Sequence, residues 1–259
     1  LCLFGGGLSL LAISYISGQR VRLQVWEIGP LLLCMTFGML GWHLFSAYGV
    51  TIMPAGRASI IAFTMPVWAA LLARVILGEP LTKLKIISLV LGLSGLAVLM
   101  GPDLIALEEA PLGAFLMLAA SLSWGTGTVL FKKYNWSAST TALAGWQLTF
   151  AGIPIAIGAF LIQDPPEWNV ISVKAYFSLA YVLVLPMIFC QWAYLRSVRT
   201  FPASLAAIST LGVPVVGTYS SALILGEQLG FQELGALILV CMALATVLVV
   251  PNLSRGQGT

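Results

Sequence analysis

Two polar side chains in apolar stretches of this sequence each stand next to a tryptophan. His43 follows Trp42, and Gln191, 148 residues after His43, precedes Trp192. An imidazole or an amide can hydrogen-bond the polar part of a solute while an indole packs against its apolar part. His43 can also titrate near neutral pH and couple binding to protons. The alternative for His43 is a hydrogen bond to a neighbouring helix.

Further polar, aromatic and proline residues deep in apolar stretches are candidate ligands or hinges, because polar groups in lipid are costly and usually face the bundle interior. The candidate ligands are Thr64, Trp124, Thr126 and Thr210. A threonine often bonds back to its own helix, and this alternative stays open for each. Pro66 and Pro214 are predicted in mid-helix, where each leaves the carbonyl four residues earlier without its helical partner. They are hinge candidates, with a simple packing kink as the alternative.

The composition indicates a membrane protein. The 259 residues are 59% hydrophobic and only 8% charged, and the mean hydropathy is +1.01. A soluble domain carries about 25% charged residues. A chain this poor in charge cannot cover a globule with polar groups, so its outer surface must meet lipid. The four cysteines lie in apolar runs without a nearby His or carboxylate cluster, so neither a metal site nor a cofactor is predicted.

Nine apolar runs, separated by turn and charge signals, predict nine transmembrane helices. The predicted spans are 1–17, 28–49, 57–77, 85–100, 112–131, 140–162, 173–194, 203–225 and 234–250. Assigning the connections alternately to two sides leaves only Arg57 and Lys174 on one side, while the other ten of the 12 Lys and Arg fall on the opposite side. This bias predicts that the basic side, and the C-terminus with it, is cytoplasmic.

An internal repeat lies at an offset of 148 residues. Residues 54–82 and 202–230 share eleven identities in twenty-nine positions without a gap, where chance would give roughly three or four in two hydrophobic helices. Both copies have a proline at the start, a proline in mid-span and Gly-Glu at the end. The second copy contains the fifth span after that of the first, and this odd step predicts that corresponding helices run in opposite directions.

The repeat predicts an all-α integral membrane protein, a 5+5 inverted-repeat bundle of ten transmembrane helices, about nine of them visible. The second copy starts near residue 112, and 112 minus 148 is −36, so a first helix is expected to be missing before residue 1. Residues 1–103 are expected to be TM2–TM5 of the first repeat, 104–251 TM6–TM10 of the second, and 252–259 a cytoplasmic tail. A true nine-span protein is the alternative.

Short segments over the whole chain carry a family resemblance. They are Ser-Ala-Tyr at 46–48, Pro-Ala-Gly-Arg-Ala at 54–58, Leu-Gly-Glu-Pro-Leu-Thr at 77–82, their partial repeats at 193–194, 202–204 and 225–229, the prolines at 66 and 214, and Leu-Ser-Trp-Gly-Thr-Gly at 122–127. Together they resemble the ten-helix, EamA-type branch of the drug/metabolite transporter superfamily. The resemblance implies a 5+5 carrier that exports metabolites, amino acids among them, through a central cavity.

We therefore expect a bacterial inner-membrane exporter of small polar or amphipathic metabolites, amino acids or related compounds first, that works by alternating access. Trp42, Trp124 and Trp192 are the expected apolar walls of its site. Its expected partners are a small-molecule substrate and the lipid bilayer, with protons as a candidate coupling ion; it is expected to be a monomer and to bind no nucleic acid. A flippase of lipids or lipid-linked headgroups with the same architecture is the alternative.

An intramembrane enzyme is the rival from another class. It would need a buried nucleophile–base pair, paired carboxylates or a metal cluster, and a sequence with one histidine offers none of these. No Asp or Glu lies deep in a predicted span, so no carboxylate proton relay is predicted. Glu79 and Glu227 lie at the ends of spans and are expected to fix loops. A receptor or scaffold would show neither solute flux nor a central cavity.

Overall fold

A computed structural model describes residues 1–53, 55–100, 111–162, 172–225 and 231–248, which are almost entirely helical and contain no strand. The first part of the chain forms α1 (Cys2–Ile16), α2 (Val25–Met35), α3 (Trp42–Ile52), α4 (Ala55–Ala62), α5 (Met65–Ile76) and α6 (Lys83–Met100). The second part forms α7 (Pro111–Lys133), α8 (Thr140–Ile162), α9 (Val173–Val182), α10 (Gln191–Thr200), α11 (Ala203–Ser209), α12 (Gly212–Leu225) and α13 (Phe231–Leu248). The prediction of an all-helical chain is confirmed.

Two of the long helices each contain a π-helical segment. Thr36–Gly41 joins α2 to α3, and Leu183–Cys190 joins α9 to α10. Val25–Ile52 and Val173–Thr200 are therefore continuous helices of 28 residues each. A π-helical segment widens the helix locally and is rare, and such segments occur frequently at functional sites.

The bounds of the elements recur at the offset found in the sequence. Helix α2 begins 148 residues before α9, and α5 begins within one residue of that offset before α12. The two π-helical segments also lie at equivalent positions, before the equivalent helices α3 and α10. The repeat in residue types is thus accompanied by a repeat of helix, π-helical segment and break.

Helix α7 lies against many others, since it packs on α2, α3, α4, α5 and the first π-helical segment. The close approach depends on glycine. A Cβ on Gly127 of α7 would collide with the backbone of Gly38 in the π-helical segment. Small residues that let helix backbones approach are the usual means by which helices associate in lipid. Helices α6 and α13 pack together, as do α1 and α8.

The outer surface of the bundle is apolar. Large hydrophobic side chains cover it, among them Ile16, Val25, Val75, Phe160 and Phe231. Among the described residues, four helices are long and apolar enough to cross a membrane by length and composition. They are Val25–Ile52, Pro111–Lys133, Thr140–Ile162 and Val173–Thr200. The buried core beneath this surface includes Leu31, Phe131, Leu143, Leu148 and Val198.

The turn after α5 ties the first half of the chain to the second. Gly78 has a φ of +70°, in the left-handed region that favours glycine, and it follows the end of α5. The carboxylate of Glu79 then accepts hydrogen bonds from the backbone N–H groups of Ala203 (2.7 Å) and Ser204 (3.3 Å) and from the Ser204 hydroxyl. Glu79 thus caps α11 and fixes its loop, as expected from the sequence. Its repeat counterpart, Glu227, and Pro54 lie outside the described residues.

Candidate functional site

A narrow cavity, here called the central cavity, lies between α7, α8, α10 and the helix that contains the first π-helical segment. Its walls are formed by Cys34, Gly38, Met39, Trp124, Gly127, Thr128, Phe131, Gln147, Gln191, Tyr194 and Leu195. Its volume is about 20 Å³, which is room for about one water molecule. The cavity is therefore small, and its walls contain several polar and aromatic groups.

Gln191 supplies the central cavity with a hydrogen-bond donor that has no acceptor. Its side-chain Nε2 is buried and has no hydrogen-bond partner. Gln191 is the first residue of α10 and directly follows the second π-helical segment. A buried, unpaired donor costs about 1–3 kcal/mol, so a packed bundle without a ligand for it would gain stability from an apolar residue here. The amide can donate to a carbonyl or carboxylate oxygen of a solute.

An aromatic pair forms one wall of the central cavity. The rings of Trp124 and Tyr194 lie 4.7 Å apart between centroids, with a 37° angle between their planes. The hydroxyl of Tyr194 lies 2.9 Å from the hydroxyl of Thr128, which also bonds to the Trp124 carbonyl at 3.0 Å. The wall therefore offers an apolar face next to fixed hydroxyl groups, a combination suited to a solute with both polar and apolar parts.

Among the lining residues of the central cavity that were not predicted from the sequence, three have hydroxyl or amide side chains: Thr128, Gln147 and Tyr194. Gln147 is buried in the middle of an apolar helix, and a lone amide in such a run is a signal that the sequence does contain. Thr128 lies one turn after Trp124 and hence on the same helix face. Tyr194 belongs to a segment that carries the family resemblance, but a tyrosine near a helix end resembles an ordinary interfacial anchor, so nothing in the sequence marked it as a lining residue.

A wider cavity of about 820 Å³, here called the basic vestibule, lies beside the turn between α7 and α8. Arg196 and Arg199 line it from α10, and Trp192 lies at the same wall. Its hydroxyl groups come from Ser137, Ser139, Thr140, Thr141 and Thr200. Guanidinium groups and hydroxyls donate hydrogen bonds to carboxylate or phosphate oxygens. The vestibule is therefore a place where an anionic group can be bound.

The position of Arg199 in the basic vestibule is fixed by the adjacent turn. Its Nη1 donates to the carbonyl of Ala138 at 3.2 Å and to the hydroxyl of Thr140 at 3.1 Å. Its Nη2 lies 3.4 Å from the carbonyl of Trp136. Because these acceptors are neutral, the positive charge of Arg199 is held in place without being cancelled by them.

Glu27 is a buried carboxylate that sequence reasoning missed. The predicted span began at residue 28, but the structure places Glu27 inside α2 and completely buried. Its carboxylate accepts from the N–H groups of Ser137 and Ala138, from the Ser137 hydroxyl and from the N–H of Gln24 at 2.7 Å. Four bonds satisfy the charge, which is why it can be buried. They bind the start of α2 to the turn that shapes the basic vestibule.

The hydroxyl groups of the threonines named as candidate ligands each donate to a backbone carbonyl three or four residues earlier. The bonds run from Thr64 to the Ile61 carbonyl at 2.7 Å, from Thr126 to the Leu122 carbonyl at 2.8 Å and from Thr210 to the Ala207 carbonyl at 2.7 Å. Thr64 also contacts the Ser121 hydroxyl at 2.9 Å. None of the three lines the central cavity or the basic vestibule.

His43 and Gln191 occupy different surroundings despite their equivalent positions. The His43 Nδ1 lies 2.7 Å from the carbonyl of Met39 in the preceding turn, and Met39, not His43, lines the central cavity. Trp42 packs on an apolar cluster that includes Met117. The structure thus brings Trp124 and Gln191 together in one cavity, places Trp192 at the basic vestibule, and leaves Trp42 and His43 outside both.

Pro66 and Pro214 lie near helix starts rather than in mid-helix. Two residues separate α4 from α5, so Pro66 lies in the first turn of α5, where a missing N–H costs no intrahelical bond. Pro214 is likewise the third residue of α12. The carbonyl of Thr210, expected to be unpaired, accepts from the N–H of Val213 at 3.0 Å. The predicted kinks are therefore breaks between consecutive short helices.

An all-helical bundle with an apolar outer surface and a polar cavity between its helices is the architecture of a multi-span membrane transporter. The chain belongs to the EamA-like transporter family, whose model matches residues 1–101 and 111–249. The family resemblance seen in the sequence is thereby confirmed, as is the prediction of a multi-span membrane fold.

Individual relatives are moderately similar over most of the chain. An uncharacterized transporter of Bacillus subtilis (strain 168), YoaV, is 26% identical over 92% of this chain and 82% of its own length. A probable amino-acid metabolite efflux pump of Escherichia coli (strain K12) is 28% identical over 73% of this chain and 66% of its own length. An uncharacterized inner membrane transporter of the same strain, YedA, is 26% identical over 88% of this chain and 71% of its own length.

A solved crystal structure has the same fold. It superimposes with a TM-score of 0.81 at 19% sequence identity and covers 96% of this chain, which in turn covers 86% of that one. At this identity the likeness concerns the fold alone.

Proposed function

We propose that this transporter exports small polar or amphipathic metabolites, amino acids or related compounds first, through the central cavity. The observation that carries the proposal is the buried donor of Gln191, which has no partner within the protein and lies beside the Trp124–Tyr194 wall. A solute oxygen would accept from the amide, while its apolar part packs on the rings. The similarity to a probable amino-acid metabolite efflux pump supports this substrate class.

Transport proceeds by alternating access between two inverted repeats, which we place at residues 1–103 and 104–251. Helix starts that recur at an offset of 148 residues, as those of α2 and α9 do, support two equivalent halves. The central cavity is too small for a metabolite as it stands, so binding requires the helices around it to separate. The breaks before Pro66 and Pro214, each between two short helices, are the proposed hinges.

The transporter is proposed to lie in a bacterial inner membrane as a monomer, with its C-terminus and its basic side in the cytoplasm. An inner membrane transporter among the relatives supports the membrane. The structure brings Arg20, Lys132 and Arg199, which the charge count assigns to the cytoplasm, to the same end of the bundle. Ser139 donates to the Arg20 carbonyl at 3.0 Å, and Lys132 donates to the Arg199 carbonyl at 3.0 Å. A charge bias of this kind sets orientation.

The test is solute efflux from liposomes that contain the full-length protein, with labelled amino acids and drugs, with and without a pH gradient. Protein-free liposomes and the Gln191→Ala variant are the controls. Flux of one compound class, lowered in Gln191→Ala, supports the proposal. Dependence on the gradient would add protons as the coupling ion, and independence would define a facilitator. The absence of flux for every soluble compound would contradict metabolite export.

A further inference from the structure

The basic vestibule continues into an apolar groove, here called the lateral groove. This groove has a volume of about 320 Å³. Its apolar wall consists of Leu10, Ile13, Val184, Ile188 and Phe189, from α1 and the second π-helical segment. Several of these side chains are exposed on the outside of the bundle. None of the residues that the structure describes covers these side chains, so the groove faces the outer surface of the bundle.

The two spaces share a wall. Gln19, Thr141 and Trp192 line both the basic vestibule and the lateral groove. Trp192 thus stands at the junction of a polar, positively charged compartment and an apolar one. An indole suits such a boundary, since one part of it is apolar and its N–H is polar.

The basic vestibule keeps a net positive charge. Arg199 is held by neutral oxygens and interacts with the charge of Glu27, which offsets one of the two guanidinium charges. The carboxylate of Glu27 is buried and is itself held by four hydrogen-bond donors. Among the described residues, Arg196 makes no ion pair or hydrogen bond of its own side chain, and it is exposed to the vestibule. One guanidinium is thus pre-positioned, and a second is free to close on an anion.

A comparable groove elsewhere in the molecule lacks this charge. The groove between α3 and α8 also has a volume of about 320 Å³, and Leu44, Tyr48, Thr51 and Ile155 are among its lining residues. No charged residue is among those that line it. This second groove therefore lacks the positively charged compartment that adjoins the first.

Resting on the proposed function, and naming its substrate class more closely, we propose that this joined space is the access site for an amphipathic anion with a single aliphatic chain. The anionic head, a carboxylate or phosphate, lies between Arg196 and Arg199 in the basic vestibule. The chain lies in the lateral groove and reaches it sideways from the cytoplasmic leaflet. Trp192 packs against the first methylene groups. From there the solute would be passed towards the central cavity.

The test uses the full-length protein in nanodiscs of neutral phosphatidylcholine at pH 8. Three ligands with the same brominated chain are titrated: a fatty carboxylate, the matching alcohol and the matching quaternary ammonium. Bromine quenches tryptophan fluorescence at contact distance. We expect saturable quenching by the carboxylate alone, and we expect this quenching to be lost in Trp192→Phe. Equal quenching by the alcohol or the cation would overturn the proposal, because it would show partition without recognition of charge.

Matched variants test each compartment. Arg196→Gln should weaken carboxylate binding about fivefold, as expected for one exposed ion pair, while Arg74→Gln, which removes an exposed cationic group from the end of α5, should not. Val184→Phe should fill the lateral groove and weaken carboxylate binding. Val90→Phe, at a similarly exposed site on α6, should bind the carboxylate as the unmodified protein does. Unchanged binding in Arg196→Gln or in Val184→Phe would overturn the proposal.

Further outcomes distinguish a single-chain anion from a two-chain lipid, and they test the access site separately from the export function. Phosphatidylglycerol with brominated chains carries an anionic head on two chains, and quenching of Trp192 by it as strong as by the carboxylate would overturn the single-chain assignment. Saturable carboxylate binding without any efflux would contradict the export function and leave the access site standing. Efflux of soluble amino acids together with equal binding of carboxylate and alcohol would contradict the access site alone.

Discussion

The phenol of Tyr194 lies 4.7 Å from the indole of Trp124, ring centroid to ring centroid, and the two rings form one wall of the cavity that Gln191 also lines. They come from α10 and α7, so the wall exists only while these helices are packed together. A solute that occupies the cavity must therefore part them or enter from a state in which they are apart. This arrangement links binding at Gln191 to a movement of α10.

Gln191→Leu should lower transport while raising the stability of the protein. The leucine removes a buried donor that has no acceptor, a group whose burial costs about 1–3 kcal/mol. We expect a higher midpoint of thermal unfolding in detergent, together with strongly reduced flux of the substrate found in the liposome screen.

The control for this variant is Ser178→Leu, at an exposed position on α9, which should change neither quantity. A Gln191→Leu protein that is less stable than the unmodified protein would show that the amide has an internal partner. Full transport by the variant would remove Gln191 from the site.

The sequence predicted the helices well because their signals are local. Long apolar runs set off by glycine and proline define spans, and the repeat at 148 residues pairs His43 with Gln191. Each of them lies at the start of the helix that follows a π-helical segment. It could not predict that only Gln191 faces the central cavity, since the direction of a side chain depends on the rotation of each helix against its neighbours. The π-helical segments set that rotation locally, and no pattern of residues in the sequence predicted these segments.

Glu79→Gln should weaken the pH dependence of stability at acidic pH. Burial raises the pKa of Glu79, but the hydrogen bonds from Ser204 and Ala203 and the charge of Lys85, 3.5 Å away, lower it more, so that the pKa lies below its ordinary value of 4.5. A carboxylate with a lowered pKa contributes stability that is present above pH 4.5 and is lost as the pH falls through the folded-state pKa.

The measurement is the unfolding midpoint between pH 3 and pH 7, with Lys85→Gln as the comparison. Glu79→Gln should be less stable than the unmodified protein at pH 7, and the difference should shrink as the pH falls below 4.5. Lys85→Gln should show a smaller version of the same change, because the charge of Lys85 lowers the pKa of Glu79 less than the hydrogen bonds from Ser204 and Ala203 do. A difference that grows towards low pH would contradict this account of the cap on α11.

Gly127→Ala should disrupt the bundle, whereas Gly158→Ala should be tolerated. A Cβ on Gly127 would meet the backbone of Gly38, which cannot move aside as a flexible side chain can. At Gly158, in α8, there is open space, and alanine there should stabilise the helix by up to about 1 kcal/mol. The yield of monodisperse protein and its unfolding midpoint distinguish the two variants. Equal behaviour of both would mean that α7 and the first π-helical segment do not pack this closely.

Pro66→Ala should slow transport without unfolding the protein. Pro66 is buried in the first turn of α5, two residues after the break that follows α4. An alanine restores an N–H that can donate to the carbonyl four residues earlier, so α4 and α5 can join into one continuous helix. If the break is a hinge, the joined helix stiffens it, and flux falls while the unfolding midpoint is kept or raised.

Pro30→Ala, within α2, restores a helical bond away from the break and should leave flux unchanged. Normal flux in Pro66→Ala, with hydrogen exchange showing a continuous helix through residues 63 and 64, would mean that the break serves packing alone.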